Sequence, residues 1–210
     1  MKLTLALIAI MVIAFVIPVL TVQDYNAFLD DYGFSADNLV AKPWTIVTSI
    51  FIHADIVHLL SNILVLFFFG AAVEKEMGIL KILGIFFLGA FLGDLLSLFV
   101  YSPSTVSIGA SAGIFALVGL GMLIRPFDFS FYPLVVPIPL ALLGLIYAVY
   151  NIYGFILGEG NISYIAHFGG LITGLYFGFR QEGIKKGMKI ILIMALIMVI
   201  IPVAWWLLAR

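Results

Sequence analysis

Apolar runs of about 20 residues recur along this chain, and that is the length an α-helix needs to cross a bilayer. Inside lipid a segment has to satisfy its own backbone N–H and C=O groups, so each such run is read as a helix. Composition rules out the alternative of one large soluble core. Of 210 residues, 64% are apolar and 10% are charged, against about half and about a quarter in an ordinary soluble domain. The net charge of −1 gives no reason to expect nucleic acid, and the absence of cysteine excludes disulfides and thiolate metal sites. No low-complexity tract and no long linker divides the sequence. The expectation is an all-α membrane protein, a single polytopic domain over residues 1–210.

Seven spans are expected. The first covers Met1 to about Val22. It could be a signal peptide, but its apolar part is too long and no small-x-small cleavage site follows Pro18. The others run from about Ile56 to Ala72, Leu80 to Tyr101, Ser111 to Ile124, Leu134 to Leu157, Tyr164 to Phe179 and Lys189 to Leu208. Pro133, Pro137 and Pro139 gather around the start of the fifth. Between the first two spans, Gln23 to Asp55 forms the one long polar segment. It holds Asp24, Asp30, Asp31, Asp37 and Asp55 among Tyr25, Phe28, Tyr32, Phe34 and Trp44. Aromatics of this kind favour the membrane interface, and short helices lying half in that interface are expected.

Lys and Arg placement sets the orientation. With the amino terminus cytoplasmic, Lys2, Lys75, Lys81, Arg125, Arg180, Lys185, Lys186 and Lys189 lie inside, and only Lys42 and Arg210 lie outside. The carboxy terminus and the acidic segment are then external. So are the starts of the second, fourth and sixth spans.

Those starts hold polar residues that lipid disfavours. Ser111 opens the fourth span within Gly109-Ala110-Ser111-Ala112-Gly113, where small neighbours leave its hydroxyl uncovered. The chain has three histidines, His53, His58 and His167, all expected at the depth of Ser111. Ionisable groups at such depth usually face the bundle interior. His58 and Asn62, four apart, share a helix face. They read either as interhelical polar glue worth about 1 kcal/mol or as donors aimed at an oxyanion. His167 is followed by Gly170, Gly174 and Gly178 along one flank of the sixth span, a stripe that lets two helices approach closely. If the neighbour is the fourth span, His167 reaches Ser111 and can activate it as a nucleophile. The helix start adds unpaired N–H groups and the positive dipole end. Phe115, on the face of Ser111, is either ordinary core or a ring stacked on the imidazole. Asp94 is the only acid inside a span, at mid-depth in the third. The pair is therefore expected to act as a dyad, with no carboxylate orienting the histidine.

Taken together, these residues resemble the rhomboid intramembrane serine proteases. The matching stretches are His53, then His58-x-x-x-Asn62; Ala71-Ala72-Val73-Glu74; Gly109-x-Ser111; and Ala166-His167-x-x-Gly170-x-x-x-Gly174. They follow in family order across about Trp44 to Phe179. The resemblance implies a bundle of six core helices plus one carboxy-terminal helix. It implies Ser111 as nucleophile, His167 as general base, and His58, Asn62 and the Ser111 backbone N–H as the oxyanion site. Phe115 matches the aromatic packed on the catalytic histidine, and His53, Gly109, Gly170 and Gly174 are supporting residues. Two positions depart from the family's usual pattern: Ala112 follows the serine where glycine is common, and Thr45 follows Trp44 where arginine is common. The chain is also expected to have no soluble amino-terminal domain of the kind frequent in that family.

The implied reaction is endopeptidase cleavage of single-pass transmembrane proteins near the outer membrane face. It would need no cofactor and no metal. Water would enter past Ser102 to Ser107, and substrate laterally past the fifth span, capped by the segment from Asn161 to Tyr164. A pseudoprotease that binds membrane clients without cutting them is the main alternative, though such relatives usually lack the serine or the histidine. A transporter would need ionisable residues at all depths, and a soluble hydrolase would need a strand before Gly109-x-Ser111-x-Gly113. Partners are thus a membrane-protein substrate and the bilayer itself. An Ile- and Lys-rich chain without cysteine is compatible with a prokaryotic cell membrane.

Overall fold

A computed structural model describes residues 1–129, 138–158 and 163–209. The predicted positions Leu134, Pro133, Pro137, Asn161 and Arg210 lie outside the described residues. Those residues form an all-helical membrane fold. In chain order the helices are α1 (Lys2–Thr21), α2 (Tyr25–Tyr32), α3 (Ala36–Ala41), α4 (Thr45–Thr48), α5 (Ile56–Met77), α6 (Ile79–Ser97), α7 (Ser111–Ile124), α8 (Leu140–Leu157), α9 (Tyr164–Glu182) and α10 (Ile184–Leu208). Among the described residues, five helices (α1, α5, α6, α8 and α10) are long and apolar enough to cross a membrane. α9 is 19 residues long but ends in Arg180, Gln181 and Glu182.

Several boundaries differ from the sequence expectation. α5 continues past Ala72 through Glu74, Lys75 and Glu76, and stops where Gly78 takes φ +78°, a conformation that favours glycine. Gly183, at φ +83°, likewise separates α9 from α10. α6 ends at Ser97 rather than Tyr101, because turns replace the helix after it. Asp94 therefore lies in the last turn of α6, not at mid-depth.

α7 is the axis of the bundle. Every residue from Ala112 to Leu123 is buried, enclosed by α5, α6, α8 and α9. At 1.5 Å per residue its 14 residues span about 21 Å, roughly 9 Å less than a hydrocarbon core of about 30 Å. Its far end is held at a polar boundary by Arg125, which pairs with Glu76 at 2.6 Å and with Asp128 at 3.0 Å. α7 is therefore too short to cross the hydrocarbon core by itself, and Ser111 opens the end opposite Arg125.

Small residues allow α7 to be surrounded so closely. A Cβ on Gly170 or Gly174 of α9 would collide with the carbonyl oxygens of Ala112 and Ala116. On α6, a Cβ at Gly89 would meet the Ala116 methyl at 2.5 Å, and one at Gly93 would meet the Ala166 carbonyl at 2.6 Å. The glycine stripe of α9 therefore faces α7, the neighbour that the sequence leaves as a condition. Leu66, Phe69, Phe86, Ile114, Leu117 and Leu120 fill the adjoining core.

The polar segment forms the short helices α2, α3 and α4. Asp24 and Ser35 cap the first two by accepting from Ala27 N–H and Asn38 N–H at 3.0 Å each, the usual role of Asp and Ser at an N-cap. Thr45 is fully buried and donates to the Lys42 carbonyl at 2.8 Å. Its small side chain fits an enclosed position where a longer arginine would not. A two-way bridge, Phe34 N–H to Ser107 O at 2.9 Å and Ser107 N–H to Phe34 O at 2.7 Å, ties this segment to the loop leading into α7.

Candidate active site

Three helices, α5, α7 and α9, and the loops before α5 and α7 bring the predicted residues together. Asp55 caps α5 by accepting from His58 N–H at 2.8 Å, which sets His58 in the first turn and Asn62 one turn deeper. The loop before α7 turns at Gly109, with φ +106°. A Cβ there would meet His58 Nε2 at 2.7 Å and Asn62 Nδ2 at 3.6 Å. Gly109 is thus required twice, by its backbone angle and by the closeness of those two nitrogens. Its own N–H donates to the Ser49 carbonyl at 2.8 Å.

Ser111 is the first residue of α7, and no side chain caps that helix. The N–H groups of its first turn lack intrahelical partners, as at any helix start. Ser111 Oγ lies 2.8 Å from Nε2 of His167 on α9, and both residues are half-buried. Phe115, one turn after Ser111, stacks on the imidazole with centroids 4.3 Å apart and planes 8° from parallel. Tyr164 meets the same ring edge-on at 6.3 Å.

Asn62 is 5% exposed, and its Nδ2 has no hydrogen-bond partner among the described residues. An unpaired buried donor is costly, so its position beside Gly109, at the mouth of α7, is informative. His53 is fully buried. Its Nδ1–H donates to the Phe51 carbonyl at 3.2 Å, and its ring meets His58 edge-on at 5.0 Å. Burial, with the neighbouring His58 second, lowers its pKa from 6.5 to about 4, so His53 is neutral at pH 7. The Tyr25 hydroxyl donates to the His53 carbonyl at 2.7 Å, anchoring α2 to this corner.

One residue of the cluster was not anticipated. Asn151 of α8 is 1% exposed, and its Oδ1 lies 2.8 Å from His167 Nδ1. The imidazole is therefore engaged on both nitrogens, by Ser111 and by an amide. The sequence signal was present: Asn151 is the one amide in the otherwise aliphatic and aromatic run of α8. Asp94 is not the partner of His167, although Gly93 beside it packs on the Ala166 carbonyl. The Ala112 methyl lies against Gly93 on α6, and the missing side chain at Gly93 accommodates it.

A groove of about 660 Å³ lies at the other end of the bundle, between α6 and α9, lined by Leu80, Lys81, Ile85, Phe177 and Arg180 among others. It contains none of the predicted site residues.

Comparison with known proteins points the same way. Residues 40–181 match the Rhomboid domain. RHOMBOID-like protein 4 of Arabidopsis thaliana is 36% identical over 137 residues, covering 65% of this chain and 33% of that protein. The mitochondrial RHOMBOID-like protein 12 of the same plant is 29% identical over 177 residues, covering 76% and 52%. Rhomboid-like protease 1 of Toxoplasma gondii is 27% identical over 143 residues, covering 64% and 46%. The chain spans about a third to a half of the length of these relatives, and they lend no support to a prokaryotic source. A match that runs from the polar segment clamping the loop to the far end of the helix bearing His167 makes this chain a member of the rhomboid family, an integral multi-pass membrane protein.

Proposed function

We propose that this protein is an intramembrane serine endopeptidase that cuts single-pass transmembrane proteins near the outer face of the bilayer. The observation behind the reading is the 2.8 Å hydrogen bond between Ser111 Oγ and His167 Nε2. In this mechanism Ser111 Oγ attacks the scissile carbonyl carbon while its proton passes to His167 Nε2. The carbonyl oxygen becomes an oxyanion, received by Asn62 Nδ2, His58 Nε2 and the Ser111 backbone N–H at the positive end of α7. Collapse of the tetrahedral intermediate breaks the C–N bond, and the leaving amine takes the proton from His167. Water then attacks the acyl-enzyme as His167 Nε2 takes its proton; the C–Oγ bond breaks, that proton passes to Ser111 Oγ, and the carboxyl product leaves.

The depth of Ser111 requires water to reach it, and the exposed loop Ser102 to Thr105 is the proposed route. Substrate enters sideways past α8, where its helix unwinds to present a carbonyl. The Lys and Arg distribution supports a cytoplasmic amino terminus and an external carboxy terminus, so the site opens outward.

The test is cleavage of a model single-pass substrate in vesicles. Wild type is expected to cut it, while Ser111→Ala binds it without cutting. Cleavage by Ser111→Ala at the wild-type rate would overturn the assignment. Binding without cleavage by the wild type would make the protein a pseudoprotease.

A further inference from the structure

We infer that Asn151 is a positioning residue that fixes the tautomer of His167, a neutral third member behind the serine and the histidine. This rests on the reading of those two as nucleophile and base.

The inference follows a chain of hydrogen bonds with one possible polarity. Asn151 Nδ2 donates to the backbone carbonyl of Tyr164 at 3.1 Å. A carbonyl oxygen has no proton to give, so the NH₂ end of the amide must point at Tyr164. That leaves Oδ1 facing His167 Nδ1 at 2.8 Å. An amide oxygen also only accepts, so the neutral imidazole carries its proton on Nδ1. Its lone pair is then on Nε2, 2.8 Å from Ser111 Oγ, which is the arrangement a base needs to take the hydroxyl proton. Phe115, stacked at 4.3 Å, holds the plane of the ring. Asn151 thus sets which nitrogen is basic, and Phe115 sets where it points.

The amide suits its surroundings better than a carboxylate would. At 1% exposure, an ionised group facing a neutral ring would be a buried charge without a partner, which is strongly disfavoured. An amide holds the same tautomer without adding charge. A bland alternative exists, in which Asn151 only joins α8 to α9 as interhelical glue. The two roles separate experimentally, because glue affects stability while a positioning residue affects turnover and the tautomer of His167.

The experiment uses the full chain in lipid vesicles with a model single-pass substrate, comparing wild type, Ser111→Ala, Asn151→Leu and Asn151→Asp. Asn151→Leu keeps the number and branching of side-chain heavy atoms and removes both hydrogen bonds, and its kcat is expected to fall about 10²-fold with KM within about twofold of wild type. Asn151→Asp keeps an acceptor toward Nδ1. As a neutral acid it can accept from Nδ1–H and donate to the Tyr164 carbonyl, and it is expected to regain at least about tenfold of that loss. Should Asn151→Leu turn over within about threefold of wild type, the inference is wrong. It is equally wrong if ¹⁵N spectra of the wild type place the proton of neutral His167 on Nε2 rather than Nδ1; that measurement decides the matter even if the leucine variant fails to fold. Wild-type cleavage by Ser111→Ala would instead remove the underlying assignment, whatever Asn151 does.

Discussion

The two ends of the bundle treat buried polar groups in opposite ways. At the Arg125 end they are saturated. Glu74, 8% exposed, accepts from Leu3 N–H at 3.0 Å, Thr4 N–H at 2.9 Å and the Thr4 hydroxyl at 2.7 Å. It thereby supplies the start of α1 with the acceptor that a helix amino terminus otherwise lacks. Arg125 joins the ends of α5 and α7 through Glu76 and Asp128. At the Ser111 end the accounts stay open. Asn62 Nδ2 and His53 Nε2 are buried without partners among the described residues, and α7 has no side-chain cap. One end uses its polar groups to hold helices together. The other leaves a donor, Asn62 Nδ2, and an acceptor, His53 Nε2, unpaired, at a cost in stability that a purely structural helix packing would not carry. This contrast separates scaffold from site without reference to any relative.

Substitutions at the two ends should therefore fail differently. The largest effect is expected at the open end. Asn62→Ala should lower turnover by about 10²–10³-fold, the usual loss for one oxyanion donor. Its thermal stability should be unchanged or higher, because it removes a buried group that had no partner. A turnover near wild type with a lowered melting temperature would instead mark Asn62 as structural glue.

His53 comes next. Its pKa is lowered from 6.5 in the unfolded chain to about 4 in the folded protein. Between those values the unfolded chain binds more protons, so stability is fully present above pH 6.5 and is lost as pH falls toward 4. The folded-to-unfolded ratio should change by up to about tenfold per pH unit in that window. Unfolding measured across it should show this slope, and His53→Gln should flatten it.

At the closed end, Glu74→Ala should cost about 1–3 kcal/mol of stability by stranding its donors, with turnover per folded molecule within about twofold of wild type. A variant that stays stable but loses activity would show that the two ends are not separable. The smallest effect is expected at Ala112. Ala112→Gly should destabilise by about 1 kcal/mol, the helix-propensity difference, and leave turnover within about threefold. Gly93 already makes room for the methyl group.

How much of this was legible in the sequence follows from what each signal encodes. Hydropathy located the spans. The phase of Gly170 and Gly174 correctly gave the face of α9 turned toward a neighbour, and the small residues around Ser111 suggested which neighbour it was. Periodicity states which residues share a face, but not the depth at which two faces meet. Asp94 was accordingly placed at mid-depth, because the end of α6 depends on turns that hydropathy does not register. Asn151 was passed over because its partner lies on a different helix, and no spacing within α8 points to it. A lone amide in an apolar span is itself a cue, since lipid-facing sequence rarely tolerates one without a partner. The bridge between Phe34 and Ser107 joins two loops far apart in sequence, and no local pattern announces it. The resemblance to rhomboid proteases supplied roles for His58 and Asn62 where the residues alone left two readings.

The central claim is that His167 makes Ser111 nucleophilic, and labelling of the full chain with a serine-directed fluorophosphonate tests it most directly. The account predicts label on Ser111 in the wild type, none in Ser111→Ala, and at least about a 10²-fold slower reaction in His167→Ala. Equal labelling of the wild type and His167→Ala at Ser111 would contradict it.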